Sequence, residues 1–410
     1  MTSSMLDQHR AQQEWRFCDE DESRIIDAIR ELRPLLQREA AATEAARTPT
    51  DTLLSALDPL DIWKIVVPTR LGGRGISATG MLRISAELAK GDPSVAWVSQ
   101  IVNGTTWVTT LGSDALQEAL FANGVPRIIG VFNPPGTARP VDGGYRVSGR
   151  WGYASGFRLA TWGQWGVKIV HPDGREVPGN FCYIPTREFT LHNTWEVPGL
   201  QGTGSDTASV DDVFVPEHLM VHAARSFDYV APGKTHFGAP SDYFGQLPLV
   251  HRTCAGVLLG AAEALFEVVI AAAGTRPMVG TLFSRQIDSQ AAVRDIGEAA
   301  VKLDTARLLL ETATREIDLA ALKRYRMSDA ERARNKALGS YAVRIMEESV
   351  QWLMFIAGSS AFNRANPASR YWADFNVAAR HFANIPNVGY EVYGRAIVGI
   401  EPNVMPPFMF

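Results

Sequence analysis

The sequence predicts an α+β chain in three parts: an N-terminal helical domain (residues 1–125), a central antiparallel β-domain (126–240) and a C-terminal helical bundle (241–410). Two changes of texture carry this expectation. Apolar residues recur at three-to-four spacing up to about residue 122, give way to short β-branched and aromatic runs, and return to helical spacing from about residue 245. Strand–helix–strand alternation is missing, which excludes a doubly wound parallel sheet, and no internal repeat is visible.

The first part rests on SRIIDAIRELRPLLQREAAATEAA (23–46) and TGMLRISAELAKGD (79–92), separated by a loop that Pro68 and the glycines of RLGGRG punctuate. Gly73-Arg74-Gly75-Ile76-Ser77-Ala78 matches a relaxed dinucleotide fingerprint, but no βαβ unit surrounds it. RIIGVF, YRVSGRW, WGQWGVKIV, NFCYIP and SVDDVFVP then read as strands with turns at short intervals. The third part rests on residues 291–324 and 332–358. AGVLLGAAEALFEVVIAAA (255–273) is apolar enough to raise the question of a membrane, but Glu263 and Glu267 on one face make it a buried helix.

Composition narrows the function. A formal net charge of −4 offers no field for nucleic acid. The three cysteines form no CxxC, which argues against a structural metal and suits a reducing, cytoplasmic location, and the polar N-terminus shows no secretory h-region.

The chemistry concentrates in RIIGVFNPPGTARPVDGGYRVSGRWGYASG (127–156) and GLQGTGSDTASVDDVFVP (199–216). These segments resemble the β-domain of the acyl-CoA dehydrogenase superfamily, closest to its two-component flavin monooxygenases, and the resemblance extends over essentially the whole chain. By that resemblance Phe132-Asn133-Pro134-Pro135-Gly136 and Tyr153-Ala154-Ser155 contact a flavin ring, with Ser155 at its N5/O4 edge. Arg285 falls where the family has an arginine that reaches a neighbouring subunit's cofactor. Gly358 and Ser359 fall at the glycine-containing helix end near the flavin. The residues alone also allow Ser155 to be a turn serine bonded to its own backbone, and Phe132 and Tyr153 to be β-domain core.

Dehydrogenases of the superfamily remove an α-proton with a glutamate near the last helices. In YWADFNVAARHFANIPNVGYEVYGRAIVG (371–399) that register falls at or beside His381, and Glu391 comes about nine residues too late. The resemblance therefore implies an oxygenase in which His381 is the base for a substrate hydroxyl, attacked through a C4a-hydroperoxyflavin. An imidazole is a suitable base near neutral pH; the other reading of His381 is a helix-end histidine bonded to carbonyls. Asn103, Trp107, Tyr243 and His251 are candidates for the substrate pocket, and aromatics at helical spacing are also ordinary core. The expected cofactor is reduced FMN or FAD with O2 as co-substrate. The expected partners are a separate NAD(P)H:flavin reductase, an aromatic small molecule and further copies in a homotetramer, without nucleic acid or membrane. An amine N-oxygenase or an acyl-CoA dehydrogenase of the same fold remains the alternative.

Overall fold

The computed structural model describes residues 16–222, 238–244, 246–401 and 403–405. Among the described residues five helices lead: α1 (Glu20–Ala46), α2 (Asp51–Leu57), α3 (Ala78–Gly91), α4 (Pro93–Thr109) and α5 (Asp114–Phe121). Then come β1 (Ile128–Val141), β2 (Gly144–Trp151), β3 (Trp162–Val170), β4 (Glu176–Pro185), β5 (Thr190–His192), β6 (Thr207–Pro216) and β7 (Met220–His222). The chain closes with α6 (Gln246–Ala273), α7 (Gln290–Leu322), α8 (Asp329–Ala357), α9 (Pro367–Ala379) and α10 (Pro386–Val398).

Helix starts follow local chemistry. Ser77 Oγ accepts from Gly80 N (3.0 Å) to open α3, and Asp92 Oδ1 accepts from Ser94 N (2.8 Å) to open α4, with Pro93 in its first turn. Ser328 and Glu331 form a reciprocal capping box at α8. The glycine-rich stretch 73–78 is thus a loop feeding a helix cap, with no strand before it among the described residues. Across the fold, Asp318 of α7 grips the start of α3, accepting from Ala78 N (2.7 Å), Thr79 N (3.1 Å) and Thr79 Oγ1 (2.6 Å). A carboxylate on a helix N-terminus is favourable, although burial raises the Asp318 pKa to about 6. The first and last thirds of the chain are locked together there.

Helix α6 is long and apolar enough to cross a membrane by length and composition, yet 67% of that stretch is buried inside the protein. Its Glu263 carboxylate pairs with Arg307 of α7 (2.5 Å) and Lys90 of α3 (3.0 Å). It is the central core helix, as the sequence suggests.

The sheet runs β5-β6-β2-β1-β3-β4-β7. Neighbours are antiparallel except β1 and β3, which pair in parallel from Ile128 opposite Trp162 onward, so the expected antiparallel domain is a mixed one. The reason is topological. β1 and β2 form a hairpin, and β3 then lies on the other side of β1. The chain must cross over the end of β1 through residues 152–161, because β2 and β3 lie on opposite sides of β1 and a tight turn joins only strands that are neighbours. That crossing carries Tyr153–Gly156. A second irregularity lies beside it: between Val131 and Gly136 of β1 the partner β3 advances only from Trp165 to Val167, so residues 132–135 bulge from the ladder.

One carboxylate joins these parts. Asp206, fully buried, accepts from Arg47 Nη1 at the end of α1 (2.9 Å), Arg158 Nη1 in the crossing (2.7 Å), Thr194 N (2.8 Å) and Trp195 N (2.9 Å). Burial raises its pKa, but the hydrogen bonds from Trp195, Arg158 and Thr194 outweigh that and hold it below the usual carboxylate value. Asp206→Ala leaves two arginines and two backbone amides without their acceptor and is expected to destabilise the chain by about 3–5 kcal/mol. Denaturant unfolding checks this, and a loss under about 1 kcal/mol, the scale of an exposed pair, refutes it.

Candidate active site

The tip Tyr153–Gly156 docks on residues 203–206 through Ala154 N to Asp206 O (3.1 Å) and Gly156 N to Thr203 O (2.9 Å). Gly156, at φ 76°, lies against Val98 of α4, where a Cβ would come within 2.9 Å of the valine methyl. Gly202 abuts Ser94 on the same helix, and Gly199 and Leu200 abut α9, where Leu200 N donates to Asp374 Oδ1 (2.5 Å). Helix α4 is therefore the wall against which both flavin-like segments stand.

Ser155 is buried, and its Oγ lies 2.7 Å from Ser205 Oγ. Its N–H is occupied by Tyr153 O (2.8 Å), so the hydroxyl is the group it has to offer. Tyr153 sits at φ 60° and is 74% exposed, with its ring edge-on to Trp195 at 5.9 Å. A left-handed tyrosine left open to solvent is strained backbone of the kind that gathers at ligand sites. In the β1 bulge, Phe132 is half-buried and edge-on to Phe181 at 5.0 Å, and Asn133 is exposed. Polar groups at 153–156 and open aromatic surface at 132 and 153 suit a flat, polar-edged ring such as a reduced flavin.

His381 packs against the same helix. Its ring is edge-on to Trp97 of α4 at 5.2 Å and 4.5 Å from Phe382, whose ring is edge-on to His251 of α6 at 5.7 Å. His251 Nδ1 in turn meets Lys336 Nζ of α8 at 3.4 Å. His251, Arg252 and Lys336 are all almost fully buried, and among the described residues no carboxylate pairs with them. Among the described residues, His251 Nε2 and Arg252 Nε and Nη1 have no hydrogen-bond partner. The Arg252 guanidinium occupies the space over Gly339, where a Cβ would lie 0.9 Å from Nη1. Burial and the neighbouring cations lower the His251 pKa well below its usual value. Burial lowers Lys336 to about 7, and burial plus Lys336 lowers His381 to about 4. His381 is thus neutral at physiological pH beside a field of positive charge.

Other sequence candidates lie elsewhere. The Asn103 amide is fully buried and engaged with backbone, accepting from Ile65 N (2.5 Å) and donating to Ile62 O (2.6 Å) and Ser99 O (2.9 Å). This corrects its reading as a substrate contact: it ties loop 62–65 to α4. Trp107 is likewise core, donating to Ser241 O (2.9 Å) and packing on Phe244. Tyr243 is half-buried in the turn that precedes α6. Arg285 is exposed and paired with Asp288 (2.7 Å) in the loop after α6. That loop binds the end of α8 through Gln286 Nε2 to Ile356 O (2.9 Å) and Arg276 Nη1 to Ser360 Oγ (3.1 Å). There Gly358 ends the helix at φ 73° and Ser359 is exposed. Arg285, Gly358 and Ser359 therefore gather on one outer face, together with exposed Val279, Leu282, Trp352 and Phe355. Glu391 is exposed and accepts from Arg395 (3.0 Å).

The fold and this site define a flavin-binding enzyme of the acyl-CoA dehydrogenase type. Models of the acyl-CoA dehydrogenase N-terminal and C-terminal domains match residues 19–123 and 252–386, and the chain belongs to that family. Within it the chain stands among flavin-dependent monooxygenases. It is 30% identical to the flavin-dependent monooxygenase oxygenase subunit HsaA of Mycobacterium tuberculosis, over 93% of this chain and 97% of that one. It is 28% identical to the oxygenase component of the FADH2-dependent resorcinol hydroxylase of Rhizobium sp., over 92% and 95%. The structure of XiaF from Streptomyces sp. in complex with FADH2 and glycerol superposes with a TM-score of 0.90 at 28% identity, covering 95% of this chain and 98% of that one.

The cation cluster makes a testable statement about pH. The unfolded chain protonates His381 near 6.5 and the folded one near 4, so stability is whole above pH 6.5 and falls as pH drops towards 4. Lys336 destabilises fully below about pH 7 and is relieved as pH rises towards 10.5. Lys336→Met is therefore expected to melt a few degrees higher than the parent at pH 7, with the gap closing towards pH 10.5, and to raise the His381 titration. Melting curves across pH and imidazole NMR read both effects; a variant that melts lower at pH 7 with an unmoved His381 contradicts the reading.

Proposed function

We propose that this chain is the oxygenase component of a two-component system that hydroxylates an aromatic, phenolic or indolic or polyketide-type, small molecule with reduced FMN or FAD and O2. A separate NAD(P)H:flavin reductase supplies the reduced cofactor. The observation that carries the reading is the pair of environments: the His381 imidazole, which the family resemblance puts in the register of the dehydrogenase carboxylate, packs on Trp97 of α4, while Glu391 faces solvent in its pair with Arg395. The names of the relatives support it, since they include oxygenase components acting on resorcinol and on p-hydroxyphenylacetate.

When bound, the flavin supplies the oxygen-activating chemistry. The chain's own residues position and tune. Ser155 holds the polar edge of the ring. His381 Nδ1 accepts a long contact from Ala383 N (3.4 Å), which leaves the ring proton on Nε2; giving up this weak contact moves the proton to Nδ1 and frees Nε2 to accept from a substrate hydroxyl. With its pKa at about 4 the imidazole takes the hydroxyl proton only uphill, and the charges of Arg252 and Lys336 offset this by favouring the electron-rich phenolate, the form an electrophilic oxygen donor attacks. Trp97 and Phe382 frame the imidazole with apolar surface that excludes water.

The outer face around Arg285 and Gly358 supports a homotetramer, because Val279, Leu282 and Phe355 are 93%, 104% and 75% exposed. Free cysteines at positions 18, 182 and 254 favour a cytoplasmic setting.

Anaerobic mixing with reduced FMN or FAD, followed by oxygen and a panel of phenols, tests the activity. A transient absorbance distinct from reduced and oxidised flavin, then hydroxylated product, is expected. His381→Asn should keep oxygen consumption as peroxide release and lower product formation by ~10²–10⁴-fold, whereas Glu391→Gln should leave it largely intact. Bleaching of oxidised flavin by an acyl-CoA would overturn the reading. Light scattering at micromolar concentration should report four copies; a monomer removes the tetramer.

A further inference from the structure

Three hydroxyls form a line behind the tip. Thr203 Oγ1 donates to Leu200 O (2.7 Å), Ser205 Oγ lies 2.7 Å from Thr203 Oγ1, and Ser155 Oγ lies 2.7 Å from Ser205 Oγ. All three side chains are buried, at 1%, 4% and 9% exposure. Each hydroxyl owns one proton, and this decides the direction. A carbonyl cannot donate, so the Thr203 proton points at Leu200 O. Ser205 must then donate to Thr203, since two oxygens 2.7 Å apart with no proton between them repel. By the same step Ser155 must donate to Ser205. The terminus is rigid: Leu200 sits at φ 54°, its N–H is held by Asp374 (2.5 Å), and its carbonyl also accepts from Trp195 Nε1 (2.9 Å). With its proton committed inward and its N–H bound to Tyr153 O, Ser155 presents only lone pairs outward.

We propose that Thr203 and Ser205 are positioning residues that make Ser155 an obligate acceptor, so that the site selects reduced over oxidised flavin. The inference rests on the flavin reading above. N5 of a reduced flavin carries a hydrogen and donates; N5 of an oxidised flavin has a lone pair and needs a donor. Facing Ser155, the first makes a hydrogen bond and the second meets a lone pair. An oxygenase fed by a diffusing reductase has use for this discrimination, because it binds the incoming cofactor and releases the spent one.

The test is the ratio of dissociation constants for oxidised and reduced flavin, measured by anaerobic titration of the full chain with FMN and with FAD. The parent is expected to bind the reduced form at least about tenfold more tightly, the scale of one hydrogen bond to a charged or strongly polar group. Thr203→Val removes the acceptor that orients Ser205, and Ser205→Ala removes the acceptor that orients Ser155. Each frees Ser155 to donate and should cut the ratio by about tenfold, with Thr203→Ser restoring it. A structural defect would weaken both redox states together and leave the ratio unmoved, which overturns the proposal. So does a parent chain that binds both states equally, an outcome independent of whether any variant folds. A parent that binds neither state refutes the flavin reading itself, whereas equal binding removes only the selection.

Discussion

The buried carboxylate of Asp206 is the constraint on which the site depends. It is reached by an arginine from the first helical domain, another from the crossing between β2 and β3, and two backbone amides after β5. Each of these segments is irregular and would otherwise be free to move. A single anion with four donors converts them into one rigid corner, and the Tyr153–Gly156 tip hangs from that corner through the backbone of Asp206 itself. Surface pairs do little of this kind, since solvent competes for both partners. Here burial makes the geometry of every donor matter.

The mixed character of the sheet belongs to the same design. An all-antiparallel meander would have joined its strands by short turns at the rim and left no segment to carry a ligand. Placing β3 parallel to β1 forces the chain over the strand end, next to the β1 bulge and above α4. Both flavin-like segments are thus loops by topology but are fixed by helices from opposite ends of the chain, α4 on one side and α9 on the other. Loops held by a scaffold in this way combine exposure with precision.

The order of helical and β parts was legible because periodicity reports which face of an element is buried. The parallel pair was not, because pairing partners depend on where a crossing goes, and no local pattern encodes that. Ser155 and His381 stood out through the segments around them. Asn103 and Trp107 misled, since an amide or an indole on a helix looks the same whether it faces a ligand or a loop; only the partners at Ile62, Ile65 and Ser241 settle it. Ser205 and Thr203 escaped notice within GTGSDT, a run whose small polar residues read as an ordinary turn. Lys336 was hidden in a helix of many charges, and nothing but burial separates it from Arg334, which pairs with Glu316 at the surface.

The guanidinium of Arg252 rests in the hollow left by Gly339 on the facing helix. Neither residue can drift alone over evolutionary time. A side chain at position 339 would strike the arginine, and a shorter residue at 252 would open a void between α6 and α8. Descendants of this chain should therefore keep the pair or exchange both together, so that two sites far apart in the sequence are inherited as a single character.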